Sequence, residues 1–180
     1  MIEEAEFGDE SKFSIRCRIE YQRAIGSRNL VGTLEFKVAG TAIGNIGVIS
    51  TVGIGARDLA LMSGWSGLRR DDALYNTDKT AVLDLLDNSI YGEGGRADSE
   101  RAMKFLACMT TSGNEWTDGW LIVLIEGAAD RGQPDRMLYR RSTDRSDHEA
   151  FIPAGEYDRV VKSFLDWFHD AEKRWNVVSG

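Results

Sequence analysis

Histidine, cysteine and proline are scarce in this chain: two of each among 180 residues. Two cysteines, Cys17 and Cys108, make no disulfide framework. With neither an H-E-x-x-H pattern nor paired cysteine spacing, no zinc is expected, and nothing else in the chain calls for a metal or cofactor. No apolar run reaches the roughly 18 residues needed to span a bilayer, so a membrane partner is not expected. Basic residues are outnumbered, with 22 Lys and Arg against 29 Asp and Glu, a formal net charge of −7. The isoelectric point near 4.9 argues against direct nucleic-acid binding, because phosphates would repel such a surface. The opening MIEEAEFGDE lacks the basic start and apolar core of a signal peptide. These absences predict an acidic, reduced, cytoplasmic protein. The Leu, Ile, Val and Phe content is too high for disorder, and the length suits one domain over residues 1–180.

Periodicity gives a coarse map. Residues 13–21, FSIRCRIEY, alternate strictly: Phe13, Ile15, Cys17, Ile19 and Tyr21 face one way, and Ser14, Arg16, Arg18 and Glu20 the other. That is a half-buried strand. Residues 30–38 repeat the pattern, and Ala24–Asn29 suits a hairpin loop. Gly40 offers a turn into Thr41–Ile43. A short helix is predicted over 56–63, stopped by Gly64. A clearer one is predicted over 78–90, with Thr77 as N-cap, Val82, Leu85, Leu86 and Ile90 as its buried stripe, and Gly92 as its stop. Gly92–Asp98 reads as a polar loop. Residues 102–110 read as a central strand, and 120–126, WLIVLIE, as a strand covered on both faces. Residues 136–141 and Phe151–Ile152 read as further strands. The final helix, 156–171, belongs to a series in which Tyr157, Val160, Val161, Phe164, Phe168, Ala171 and Trp175 recur at helical spacing. The order favours an α+β single domain: a mainly antiparallel sheet of about five to six strands, packed with two to three helices, one of them long and C-terminal.

Reactive constellations are thin. His148 lies in a charged loop and His169 near the end of the last helix, where a general base or an ordinary surface imidazole would both fit. Cys17 and Cys108 sit in apolar registers and behave as buried small hydrophobes. The glycines at 44, 47, 53 and 55 lack the third glycine of a dinucleotide fingerprint and form no P-loop. Ser63–Gly67 has the wrong spacing for a nucleophile elbow. Asp84 and Asp87, and Asp166 and Asp170, are close acids on helices, and such neighbours can share a site and raise a pKa; Asp166 and Asp170 lie opposite the apolar stripe, which suits a solvated face. The tryptophans say more. Trp116 and Trp120 flank Thr117-Asp118-Gly119, and Trp65 lies beside glycine. Such aromatics anchor interfaces or cap core ends, and an acidic surface carrying them suits a basic protein partner.

The opening Phe7-Gly8-Asp9-Glu10-Ser11-Lys12-Phe13-Ser14-Ile15 resembles the F-G-D-x-x-K-F-A-I start of the bacterial polymorphic-toxin immunity protein family numbered 42. Val38-Ala39-Gly40-Thr41-Ala42-Ile43-Gly44 is similar to that family's x-x-G-x-x-I/V-G strand end. Leu85–Gly92 resembles its helix ending in a hydrophobic-Tyr-Gly. Arg136–Arg140 and Pro153–Val160 resemble its late strand and the G-E-F/Y-D start of its last helix. The collinear series runs from about residue 7 to 168. The resemblance implies a non-enzymatic protein that binds the C-terminal domain of a cognate secreted toxin one to one in the cytoplasm, in contact-dependent growth inhibition or a related system. A nuclease is one toxin that an acidic inhibitor would suit. Gly8, Gly40, Gly44, Gly92 and Gly155 are then turn-shaping, and Phe13, Ile15 and Tyr157 packing residues. Candidate toxin contacts are the acids Glu93, Asp98 and Glu100 of the 92–100 loop, with Trp116, Asp118 and Trp120. Two other readings stay open: a small hydrolase using carboxylates or Cys108 with His148, and an intracellular protein-binding regulatory domain. A homodimer through Trp65 or strand edges is also open.

Overall fold

The computed structural model describes residues 2–20, 30–44, 47–92, 95–108 and 117–178. The fold is α+β and antiparallel with a long C-terminal helix, as expected. Among the described residues the strands number eight, in two sheets, and the α-helices five.

The first sheet holds β1 (Ile2–Asp9), β2 (Phe13–Glu20), β3 (Val31–Val38) and β4 (Thr41–Ile43) in that order, with β5 (Ser50–Thr51) also pairing β3. The alternation read from residues 13–20 and 31–38 is what orients it. Phe13, Ile15, Cys17, Ile19, Leu34, Phe36 and Val38 all point inward and are buried. The connection at 21–29, including Tyr21, lies outside the described residues. Strand β1 has the same alternation, which the acidic composition of the opening hid: Glu3, Ala5 and Phe7 are half-buried and Glu4 and Glu6 exposed. Gly8 lets β1 and the last helix close on β2. Its φ is +92°, and a Cβ there would stand 2.2 Å from the Phe13 carbonyl and 2.8 Å from Val160.

α1 (Val52–Ser63) starts four residues earlier than predicted and takes up Gly53 and Gly55. α5 (Glu156–Val178) lies across β1 and β2, and α1 packs against both α5 and β3. Its buried face is the predicted one, and its Phe164 rests 5.9 Å from Phe7 in an edge contact.

The second sheet is β6 (Trp120–Ile125), β7 (Asp135–Arg141) and β8 (Asp147–Ile152). Ile122, Leu124, Met137 and Tyr139 join the core of the first sheet. Leu121, Val123, Ile125 and Leu138 face α3 (Lys79–Tyr91) and α4 (Arg96–Met103). Burial on both faces is why β6 reads as an unbroken apolar run.

Several expectations are corrected. Residues 102–108 do not form the expected strand: α4 extends to Met103, and Phe105–Ala107 runs beside β6, while residues 109 and 110 of that reading lie outside the described residues. There, Ala107 N–H donates to the Ile122 carbonyl at 2.9 Å, and Leu124 N–H to the Phe105 carbonyl at 2.8 Å. The stretch RADSERAM is rich in helix formers, with Asp98 in its first turn and Arg101 in its last, so the expected 92–98 loop gives way to helix from Arg96. The α3 cap is Asp78, not Thr77. Asp78 accepts from Thr80 and Ala81 N–H, while the Thr77 hydroxyl donates to the Ala73 carbonyl at 2.7 Å and closes α2 (Asp72–Asn76). Leu85 is 53% exposed, and Leu83 is buried in its stead. At 100° per residue, Leu85 lies about 110° from the centre of the stripe formed by Val82, Leu83, Leu86 and Ile90. Strand β8 is longer than Phe151–Ile152, because its first half, Asp147-His148-Glu149, is polar.

That polarity has a purpose, since β7 carries two buried arginines. Arg140 donates to Asp147 at 2.5 and 2.8 Å and to Asp84 of α3 at 2.7 Å. Arg136 donates to Glu149 at 2.6 Å and to the carbonyls of Leu74, Tyr75 and Thr77, closing the end of α2. Both side chains are 5% exposed. Arg136→Met therefore takes a donor fork away from three carbonyls and a carboxylate, of which the Leu74 carbonyl keeps the Thr77 N–H, and we expect a loss of about 3–5 kcal/mol in urea unfolding. Arg96→Met, removing an exposed α4 pair with Glu100, should leave the midpoint unmoved. Equal shifts would refute this role for Arg136.

Candidate functional site

The reactive side chains do not converge. Cys17 is fully buried between Ile15 and Ile19 of β2, and burial pushes its thiol up to about 12. Cys108 is also buried; burial first, and Asp58 second, push its thiol higher still. His148 stands exposed on β8, stacked 5.0 Å from Tyr139, and His169 is exposed on α5, 3.4 Å from Glu172. Asp166 pairs with Lys162 at 2.6 Å and Asp170 with Lys173 at 3.0 Å, the solvated face expected. No group of three or more His, Cys, Asp and Glu among the described residues could hold a metal ion.

The predicted contact residues fall into two places. Asp98 and Glu100 are exposed on α4, with Glu100 accepting from Arg96 at 2.8 Å. Asp118 is exposed in the turn before β6. Trp120 is half-buried at the start of β6, with Tyr139 at 6.4 Å and the Arg141 guanidinium at 5.9 Å over its ring. It caps the core end more than it projects. Glu93 and Trp116 lie outside the described residues. The chain leaves α4 beside Leu124, while Asp118 and Trp120 stand at the other end of β6.

Two surfaces escaped sequence reasoning. The outer face of the first sheet is a charged lattice. Arg16 pairs with Glu4 at 2.5 Å, Lys37 pairs with Glu10, and Arg18 with Glu20 at 3.1 Å. A recess of about 390 Å³ opens there beside the exposed Ile49. The alternation in residues 3–7 was the signal that could have revealed it.

The second surface lies where the loop after α1 meets β6 and α5. Arg69, fully buried, donates to Glu126 at 3.3 Å, to Asp158 at 3.2 Å and to the Met62 carbonyl. Its guanidinium sits 5.2 Å above the Tyr157 ring. Glu126, Asp135 and Asp158 line a recess of about 230 Å³. Burial raises the Glu126 and Asp135 carboxyls, and backbone N–H donors oppose it: Gly67 at Glu126, and Gly127 and Gly155 at Asp135.

The model of the family described as immunity protein 42 matches residues 1–167. The chain belongs to the immunity protein 42 family. No curated protein matches it. Among solved structures, the crystal structure of CdiI from Burkholderia dolosa AUO158 is similar, with a TM-score of 0.64 and 19% identity over 90% of this chain and 99% of that one. At that identity the likeness is one of fold. The motif residues of this immunity protein 42 member shape and pack the chain. Gly8, Gly40, Gly44 and Gly155 take left-handed backbone, Gly92 closes α3 by donating to the Asn88 carbonyl, and Phe13, Ile15 and Tyr157 are wholly buried.

Raised thiol pKa values and burial give one direct expectation. At pH 8 neither Cys17 nor Cys108 is thiolate in the folded state. A disulfide exchange reagent should label no thiol in the native protein and both in denaturant. Rapid labelling of either native thiol would contradict the placement.

Proposed function

We propose that this immunity protein 42 member neutralises a cognate secreted toxin by binding its C-terminal domain one to one in the cytoplasm, without turning over a substrate. The observation that carries the reading is the family match across residues 1–167. The buried, high-pKa thiols and the exposed, separated histidines are in keeping with a binder. The net charge of −7 favours a basic toxin surface, of which a nuclease groove is one example.

Asp98, Glu100 and Asp118 are exposed and suited to electrostatic steering, which acts on the rate of encounter more than on the lifetime of a complex. The test is co-expression with the C-terminal domain of a toxin encoded directly upstream. Growth rescue together with a one-to-one complex supports the reading, and neither, with both proteins folded, removes it. Within that complex, the charge reversal Asp98→Lys with Glu100→Lys should slow association by about threefold to tenfold and flatten its salt dependence. Unchanged association kinetics would remove α4 from the interface.

A further inference from the structure

An apolar ridge stands beside the acidic recess around Arg69. Leu61 near the end of α1 is 55% exposed, Trp65 38% and Leu68 56%. Their spacing of four and three residues follows continued turns: Trp65 N–H donates to the Met62 carbonyl at 3.1 Å, and Leu68 N–H to the Trp65 carbonyl at 2.9 Å. The same loop is fastened from below. The Ser66 hydroxyl donates to Asp158 at 2.8 Å, and Gly67 N–H to Glu126 at 2.9 Å. The exposed side chains thus ride on a backbone already held in one shape, which lowers the ordering cost of binding.

The recess next to it holds three carboxylates, from Glu126, Asp135 and Asp158, against the single guanidinium of Arg69. Glu126 Oε1 accepts from the Gly67 N–H at 2.9 Å and from the Arg69 guanidinium at 3.3 Å, which holds this carboxylate in place on the recess. Two small, exposed side chains, Ala129 and Ala154, also line it. The pattern is an anionic socket with an aromatic rim. It fits a basic side chain flanked by apolar neighbours, the arrangement in which Trp contributes most to an interface. A second copy of this chain, at net charge −7, brings like charge to an anionic face.

We propose that this ridge and socket are the anchor for the toxin domain: Leu61, Trp65 and Leu68 take its apolar side chains, and the recess takes a Lys or Arg from it. The inference rests on the immunity reading above. It differs in kind from steering by α4, because an anchor acts on dissociation.

The experiment uses the full chain and the purified C-terminal domain of the upstream-encoded toxin, with binding kinetics measured on immobilised toxin. Trp65→Glu puts a charge on the ridge. Ala154→Arg fills the socket with a guanidinium from the protein itself. Both positions are exposed, so folding should be retained, and thermal unfolding checks it. Each variant should bind at least about tenfold more weakly through faster dissociation. Should either fail to fold, Leu68→Ser and Ala129→Lys repeat the same two arms. Folded variants that bind within about twofold of the parent overturn the anchor and leave the immunity reading standing. A parent protein that is a dimer, broken by Trp65→Glu, assigns the ridge to a second copy and likewise overturns it. A parent that neither binds nor rescues removes the immunity reading and this inference with it.

Discussion

Guanidinium groups taken out of water hold the outer layers of this protein to its sheets. The second sheet is covered on both faces, so any polar side chain on it must find a partner inside the protein. Arg140 joins β7 to β8 and α3, Arg136 joins β7 to β8 and the end of α2, and Arg69 joins the loop after α1 to β6 and α5. Each also reaches a helical element that backbone hydrogen bonding does not tie to its own: α3 for Arg140, the end of α2 for Arg136 and α5 for Arg69. A buried ion pair adds little net stability over a well-packed apolar substitute. What it adds is direction, because a fork of donors is satisfied in few geometries. The positions of α3, of the α2–α3 turn and of the 64–68 loop follow from these three side chains.

Much of this was readable in the chain. Strands β2, β3 and β6 and helix α5 obey simple periodicities, because each buries one stripe or both faces. The failures share a cause: the packing partner decided the outcome. β7 was recognised as a strand, yet burial of Arg136 and Arg140 depends on carboxylates and carbonyls that come from elsewhere in the chain. β8 was read short because the residues answering those arginines look like loop. Leu85 reads as core because it stands three residues after Val82; Leu83 lies on the opposite flank of the Val82 and Leu86 stripe, and only docking on the second sheet selects between the two flanks. On the functional side, the acids of α4 are exposed as expected, whereas Trp120 is drawn against Tyr139. Trp65 stood out in the sequence. Its neighbours Leu61 and Leu68 did not, since an apolar residue becomes noteworthy only when nothing covers it.

Two kinds of surface therefore serve one proposed task. Scattered exposed acids act at long range and are weakened by salt. A fixed apolar ridge beside an anionic socket acts at contact and depends on shape. The likeness to CdiI at 19% identity shows that this framework tolerates extensive replacement of side chains. Surface loops such as 64–68, carried on a rigid base, are where a binder can change its selectivity without changing its fold.

The alternation of β1 has a bearing on behaviour at high concentration. β1 ends the first sheet and presents Glu3, Glu4, Glu6 and Asp9 within eight residues. An open sheet edge is a template for strand addition, from a twin molecule or from a growing cross-β aggregate. Two such edges brought together antiparallel would set carboxylate against carboxylate along the new ladder, an arrangement that like charges disfavour. The acidic opening thus works as a guard on the rim of the sheet, setting a charge cost on strand addition there.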